Sequence, residues 1–170
     1  MKRDQVIAEL RAARAIFDEK VAAVPPEALD APIPGSAHSV KDIVAHVSAY
    51  DDLIVQRLVA ARHGATTAFD RDHAGWEAFN ERTWREAASL KPGAVVSRAA
   101  DVFSALLHEV GQLSDEELAA AVGSTAALDP GWVEGEPPWQ LIKTDAFGHY
   151  PMHYDALDAA AGAVQTGPAG

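Results

Sequence analysis

No cysteine occurs in the 170 residues, which excludes a disulfide framework, a thiolate metal site and a cysteine nucleophile within the chain. Basic residues are scarce: 14 Lys and Arg stand against 25 Asp and Glu, a formal net charge of -11 with histidine neutral. Neutralising phosphates needs a basic face, so neither nucleic acid nor an anionic membrane is an expected partner. No apolar run approaches the ~20 residues of a membrane span. The opening MKRDQVIAEL turns amphipathic at once, without the apolar stretch of a signal peptide. Strand-type alternation is missing beyond a few residues, and there is no repeat. A Gly-rich phosphate loop, a nucleophile elbow and a basic stripe are missing too. What remains is an acidic, soluble, cytoplasmic domain whose length suits one core of ordinary size.

The pattern that is present is helical. From Arg3 to Val24, the residues Val6, Ile7, Leu10, Phe17, Val21 and Val24 fall on one stripe, and Pro25-Pro26 ends it. Ser39 reads as an N-cap with Asp42 at the third helical position. The helix it opens runs to about His63, where Gly64 supplies a left-handed cap. Its inward stripe is Ile43, His46, Val47, Tyr50, Ile54 and Leu58. Residues 64–92 form a long connection with a short helix around Trp76, Phe79, Asn80 and Trp84. A third long helix carries Val95, Ala99, Phe103, Leu106 and Val110. Ser114 caps a brief helix to about Val122, residues 123–136 are turn-rich around Trp132, and a last helix runs from Pro137-Pro138 to about Ala163. The expected fold is an all-α four-helix bundle over residues 1–163, with a loose tail at 164–170. The long 64–92 segment suits a crossover that leaves helices two and three parallel.

The chemistry concentrates in DAFGHYPMHYDAL, residues 145–157. His149 and His153 are four apart, so their rings leave one helix face about a turn apart. They share a stripe with Ile142, Ala146, Ala156 and Ala160, the face a bundle buries. His46 lies on the inward stripe of helix two. Neutral imidazole is a ligand for Zn, Ni or Fe, and three of them on one side of an ion leave positions open for water or substrate. The competing reading is three buried histidines that merely hydrogen-bond to backbone or carboxylate, although burying three imidazoles without a shared purpose is costly.

The stretch SVKDIVAHVSAYDDLIVQRL resembles the second-helix signature of the DinB-like superfamily, W-S-x-K-D-x-x-A-H. FGHYPMHYDAL resembles that superfamily's last-helix signature, Y-G-H-Y-x-E-H. WEAFNERTW, then a long helix and LSDEEL, resembles the ClbS/DfsB branch, so the resemblance spans about residues 3–163. It implies a four-helix bundle holding a divalent metal, often as a homodimer, with His46, His149 and His153 on the ligand positions. Relatives include transferases that use bacillithiol, mycothiol or glutathione, and a cyclopropane hydrolase that protects its host from a genotoxin. Departures are visible. Ala37-His38 replaces the usual tryptophan, Met152 replaces the acidic residue between the last two histidines, and Pro151 with Gly148 implies a local kink that re-aims His149 relative to His153.

The expected function is therefore a metal-dependent, stress-related enzyme acting on a small electrophilic molecule. The ion would activate either water or the thiol of a low-molecular-weight cofactor, which a cysteine-free chain must take from outside. The alternatives are a non-catalytic small-molecule binding or sequestering protein and a structural dimeric bundle. Asp145, one turn before His149, is read either as a carboxylate orienting that ring or as a solvated residue. Tyr50 and Asn80 are read as cavity or packing residues. His38, His63, His73 and His108 are expected at the surface, and Asp51-Asp52 is expected to be solvated.

Overall fold

The computed structural model describes residues 1–72, 75–120 and 136–165. Helix α1 spans Arg3–Ala22 and buries Val6, Leu10, Phe17 and Val21, the expected stripe, with Arg14 among them. Pro26–Ala28 forms one 3₁₀ turn. Helix α2 spans Val40–Arg62. The Ser39 hydroxyl accepts from the Asp42 N–H at 3.2 Å, and the Asp42 carboxylate accepts from the Ser39 N–H at 2.8 Å. This capping box satisfies two otherwise orphaned donors. Gly64, at φ 62°, ends α2 in the left-handed region, as expected.

The connection to the third long helix contains α3, Ala68–Arg71, and α4, Trp76–Ala88. Helix α5 spans Pro92–Gly111, and α6, capped by Ser114, spans Asp115–Ala119. The expected extension to Val122, the turn-rich segment with Trp132, His73 and the end of the tail fall outside the described residues. There is no strand among the described residues, only an isolated bridge between Pro32 and Ser39.

Two apolar clusters fix the direction of each helix. One contains Leu10 of α1, Ile54 and Leu58 of α2, and Leu106 and Val110 of α5. The other contains Phe17 and Val21 of α1, Val40 and Val44 of α2, and Val95 and Ala99 of α5. Helix α1 thus runs from the first cluster to the second, while α2 and α5 both run from the second to the first. An ion pair between Arg62 and Glu109 joins the C-terminal ends of α2 and α5. The 64–92 segment is the crossover that returns the chain, and it lays α4 against α2.

The final helix breaks where a kink is expected, around Gly148 and Pro151, but the break is longer than a kink. Instead of one helix there are α7, Pro138–Ile142, a π turn at Lys143–Phe147, a 3₁₀ turn at Tyr150–His153, and α8, Tyr154–Gln165. The Gly148 N–H donates to the Lys143 carbonyl five residues back at 2.7 Å, and the His149 and Met152 N–H groups donate three residues back. Pro151 has no N–H to offer to Phe147, so a regular helix could not pass through this point. Glycine is required for a steric reason: a Cβ at position 148 would sit 2.6 Å from the Lys143 oxygen.

Between the two clusters lies a buried polar junction. The Tyr150 hydroxyl donates to Asp51 Oδ2 at 2.7 Å. Arg14 Nη1 is 3.8 Å from the same oxygen and donates to the Ala99 carbonyl at 3.2 Å. All four layers of the bundle meet there. Asp51 is fully buried, which corrects the expectation of a solvated residue. Its place one turn from both Val47 and Ile54 puts it on the inward face, and Tyr150 and Arg14 make that placement tolerable. Burial nevertheless pushes its carboxyl up to about 7, over the opposing pull of the Tyr150 hydrogen bond and Arg14.

Two outcomes follow from this geometry. In Gly148→Ala the helix propensity of alanine favours the variant by about 0.5–1 kcal/mol, but the new Cβ meets a backbone carbonyl that cannot rotate away. Overpacking of this kind costs about 1–3 kcal/mol, so the melting temperature should fall. For Asp51, a folded-state value raised from 3.8 to about 7 means the unfolded chain loses its proton first as pH rises. Its contribution to stability is therefore lost progressively between about pH 4 and 7, at up to about 1.4 kcal/mol per unit. Asp51→Asn should gain on the wild type by that slope across the same window, as read by denaturant unfolding at several pH values. A pH-independent difference would show that Asp51 ionises normally.

Candidate metal centre

Helix α2 and the kinked final segment bring the three predicted histidines together. His149 Nε2 lies 3.2 Å from His46 Nε2 and 3.1 Å from His153 Nε2. One ligand nitrogen from each ring falls within 4.8 Å of the others. Two nitrogens held by one ion at about 2.1 Å are about 3.0–3.4 Å apart for bond angles between 90° and tetrahedral. The two Nε2 separations fit that range, so the triad could hold a metal. Without a cation, His149 Nε2 faces two like nitrogens at contact distance, and shared protons are the only alternative.

The site is also electrostatically suited to a cation that needs neutral imidazole. Burial lowers His46 to about 3, with repulsion from His149, His153 and His38 adding to it. Burial lowers His149 to about 4, and His153 nearby adds to this, while the Asp145 backbone pulls the other way. Burial lowers His153 as well. All three rings are therefore neutral near pH 7, with lone pairs available. His46 Nδ1 is buried without a hydrogen-bond partner, so no carboxylate orients that ring from behind.

The other predicted residues lie around the triad with different partners. Tyr50 packs against His149 at 4.5 Å between ring centroids, and its hydroxyl donates to Asn80 Oδ1 at 3.2 Å. Burial raises the Tyr50 hydroxyl, which keeps it a donor. Asp145 is buried, yet its carboxylate accepts from Arg57 Nη1 at 3.2 Å rather than bonding the His149 ring. Of its two expected readings, neither holds as stated. Burial raises this carboxyl in spite of Arg57.

Arg57 went unnoticed in the sequence. It is 5% exposed, pairs with Asp70 as well as Asp145, and its guanidinium lies over the Phe69 ring. The available signal was its position beside Leu58, three turns beyond His46 on the same face. His38 also departs from expectation: it is half-buried, with its ring 4.2 Å from that of Trp84. Trp76 stacks on Tyr50 with a 10° interplanar angle. The crossover helix α4 thus roofs the centre with aromatic rings.

The fold is that of known helical proteins. An uncharacterised protein from Escherichia coli UTI89 superposes with a TM-score of 0.81 at 14% identity, over 96% of this chain and 95% of that one. The colibactin self-resistance protein ClbS, solved with double-stranded DNA, gives 0.77 at 14% identity over 99% and 98%. The mycothiol-dependent maleylpyruvate isomerase gives 0.71 at 13% identity, over 92% of this chain but 61% of that one. No protein of curated function matches the sequence. Residues 10–135 match the mycothiol maleylpyruvate isomerase N-terminal domain. With that match, the helical bundle and the relatives that share it, the chain belongs to the mycothiol maleylpyruvate isomerase N-terminal domain family within the DinB-like superfamily.

Proposed function

We propose that this protein binds one divalent transition-metal ion, Zn, Ni or Fe, through His46, His149 and His153, and that it transfers an external low-molecular-weight thiol to a small electrophile. The observation that carries the reading is the convergence of three neutral imidazoles, two buried and His153 half-buried, on one point. The family match to a mycothiol-dependent isomerase domain supports the thiol. The lack of cysteine means the sulfur must be brought in.

A bound divalent ion supplies Lewis acidity, lowering the pKa of a thiol or water held at an open position. The protein's own part is the rest. Burial keeps the three rings unprotonated, so no proton competes for their lone pairs near neutrality. Tyr50, fixed by Asn80 and packed on His149, limits the orientations of that ring. Arg57 is shared between Asp70 and Asp145, so the buried Asp145 carboxylate has a cationic partner near the site. The α4 roof keeps bulk water from one side of the centre. DNA binding is stated of ClbS alone. With a net charge of -11, we propose no nucleic-acid partner here.

Elemental analysis of untagged protein purified without chelator should find close to one equivalent of a transition metal, and His46→Ala should lose it. Substoichiometric amounts of every such metal would sink the metal reading. Metal saturated at 100 times its Kd should add about 2.7 kcal/mol to stability, so chelator should lower the melting temperature. In His149→Ala, chelator should change nothing. A thiol-and-electrophile assay then divides the outcomes. Product formation that needs both supports transfer, turnover without thiol identifies a metal-water hydrolase, and bound metal with neither identifies a sequestering protein.

A further inference from the structure

Beside the histidine centre, α2, α4, α8 and the turns that precede α2 and α8 line a half-open cleft of about 160 Å³ that includes His38, His46, Trp84 and His153. From its size, lining and shape, we infer that this cleft is the site of the organic substrate, and that it takes a neutral, flat, single-ring compound rather than the thiol. The inference deepens the proposed function and rests on it for the word substrate; the binding itself stands on the cleft.

Size sets the first limit. An apolar protein cavity of about 150 Å³ holds benzene, so a cleft of about 160 Å³ holds one six-membered ring with a small substituent. A thiol carried on a peptide or a sugar is several times too large and must approach from outside it.

Charge sets the second. Among the described residues, the lining contains no Asp, Glu, Lys or Arg. A carboxylate or ammonium placed there would lose its hydration without an ionic partner, which costs several kcal/mol. The side chains with hydrogen-bonding groups outside the triad are His38, Ser36 and Trp84, whose indole N–H is a donor only, enough for one polar substituent.

Shape sets the third. The His38 and Trp84 rings are 31° apart in plane, and those of His46 and Trp84 are 29° apart at 6.2 Å between centroids. With His38 packed on it at 4.2 Å, Trp84 presents a flat aromatic wall, and Ile43 and Ala156 add aliphatic carbon to the lining. A planar ring can lie with its face on such a wall, whereas a puckered or branched molecule makes less contact with it. Because His46 and His153 belong both to the cleft and to the triad, an occupant lies next to the point where their nitrogens converge.

The test uses chelator-treated full-length protein and two probes of equal size, benzyl alcohol and benzoate. In ¹H–¹⁵N spectra, benzyl alcohol should shift the Trp84 indole signal, assigned by its loss in Trp84→Phe. Benzoate should bind at least tenfold more weakly, about 1.4 kcal/mol. Ala156→Phe fills the cleft from α8 and should weaken benzyl alcohol binding by a similar factor while metal content stays at the wild-type level. If that variant does not fold, Ser36→Trp, at the exposed rim, should do the same by narrowing the mouth. Benzyl alcohol that leaves Trp84 unshifted, benzoate that binds equally well, or binding that survives in whichever of the two filled variants folds would each overturn the inference. Because the probes are read on metal-free protein, an absent metal would defeat the proposed function without deciding this result, and an empty cleft would leave the metal result intact.

Discussion

The hydrogen bond from Tyr150 to Asp51 is the contact on which the arrangement of this bundle turns. It is short, fully buried and placed between two apolar clusters that by themselves specify only that helices pack. Apolar contacts are non-directional and tolerate sliding by fractions of a turn. A buried carboxylate with one good donor does not tolerate it, because moving Tyr150 away leaves the charge with Arg14 at 3.8 Å and little else. Since Tyr150 follows His149 directly, the axial position of a triad residue is set by a bond made on the opposite side of the chain.

The crossover has a comparable effect from the other direction. Parallel α2 and α5 oblige the chain to travel back along the bundle, and α4 is the part of that return that lies over His46 and Tyr50. Its inner residues Trp76, Asn80 and Trp84 touch the centre or its neighbours. The connection that a topological argument needs only as a strap is therefore also a wall of the site, and the cleft exists because the strap carries a helix.

Much of this was legible in the chain and some was not, for definite reasons. The stripes of α1, α2 and α5 follow a period of 3.6, and the caps at Ser39, Gly64 and Ser114 carry side chains or φ values that the sequence announces. The histidine triad was visible as three inward positions. Asp51, Arg57 and His38 were misjudged or missed because a charged or polar residue is read as exposed unless its partner is known. The partners, Tyr150, Asp70 with Asp145, and Trp84, lie 13 to 99 residues away. Asp145 was tied to His149 by helical spacing, but a guanidinium from another helix offers a carboxylate a stronger bond than a neutral ring does.

The irregular turn before α8 has a consequence for the chain as a whole. A π turn takes up one residue more than an α-helical turn, and a 3₁₀ turn takes up one fewer. Here one follows the other, from Lys143 to His153, so the surplus and the deficit cancel and α8 resumes in phase with α7. Ile142 and Ala146 are buried in the first apolar cluster and Leu157 and Ala160 in the second, so both halves keep an inward face although no unbroken helix joins them. Each half of the pair protects the other. A chain with the extra residue but not the tight turn would deliver α8 rotated by about 100°, with His153 swung off the triad and Leu157 turned toward solvent. The spacing of this segment thus matters as a sum rather than turn by turn, and the eleven residues from 143 to 153 act as one joint.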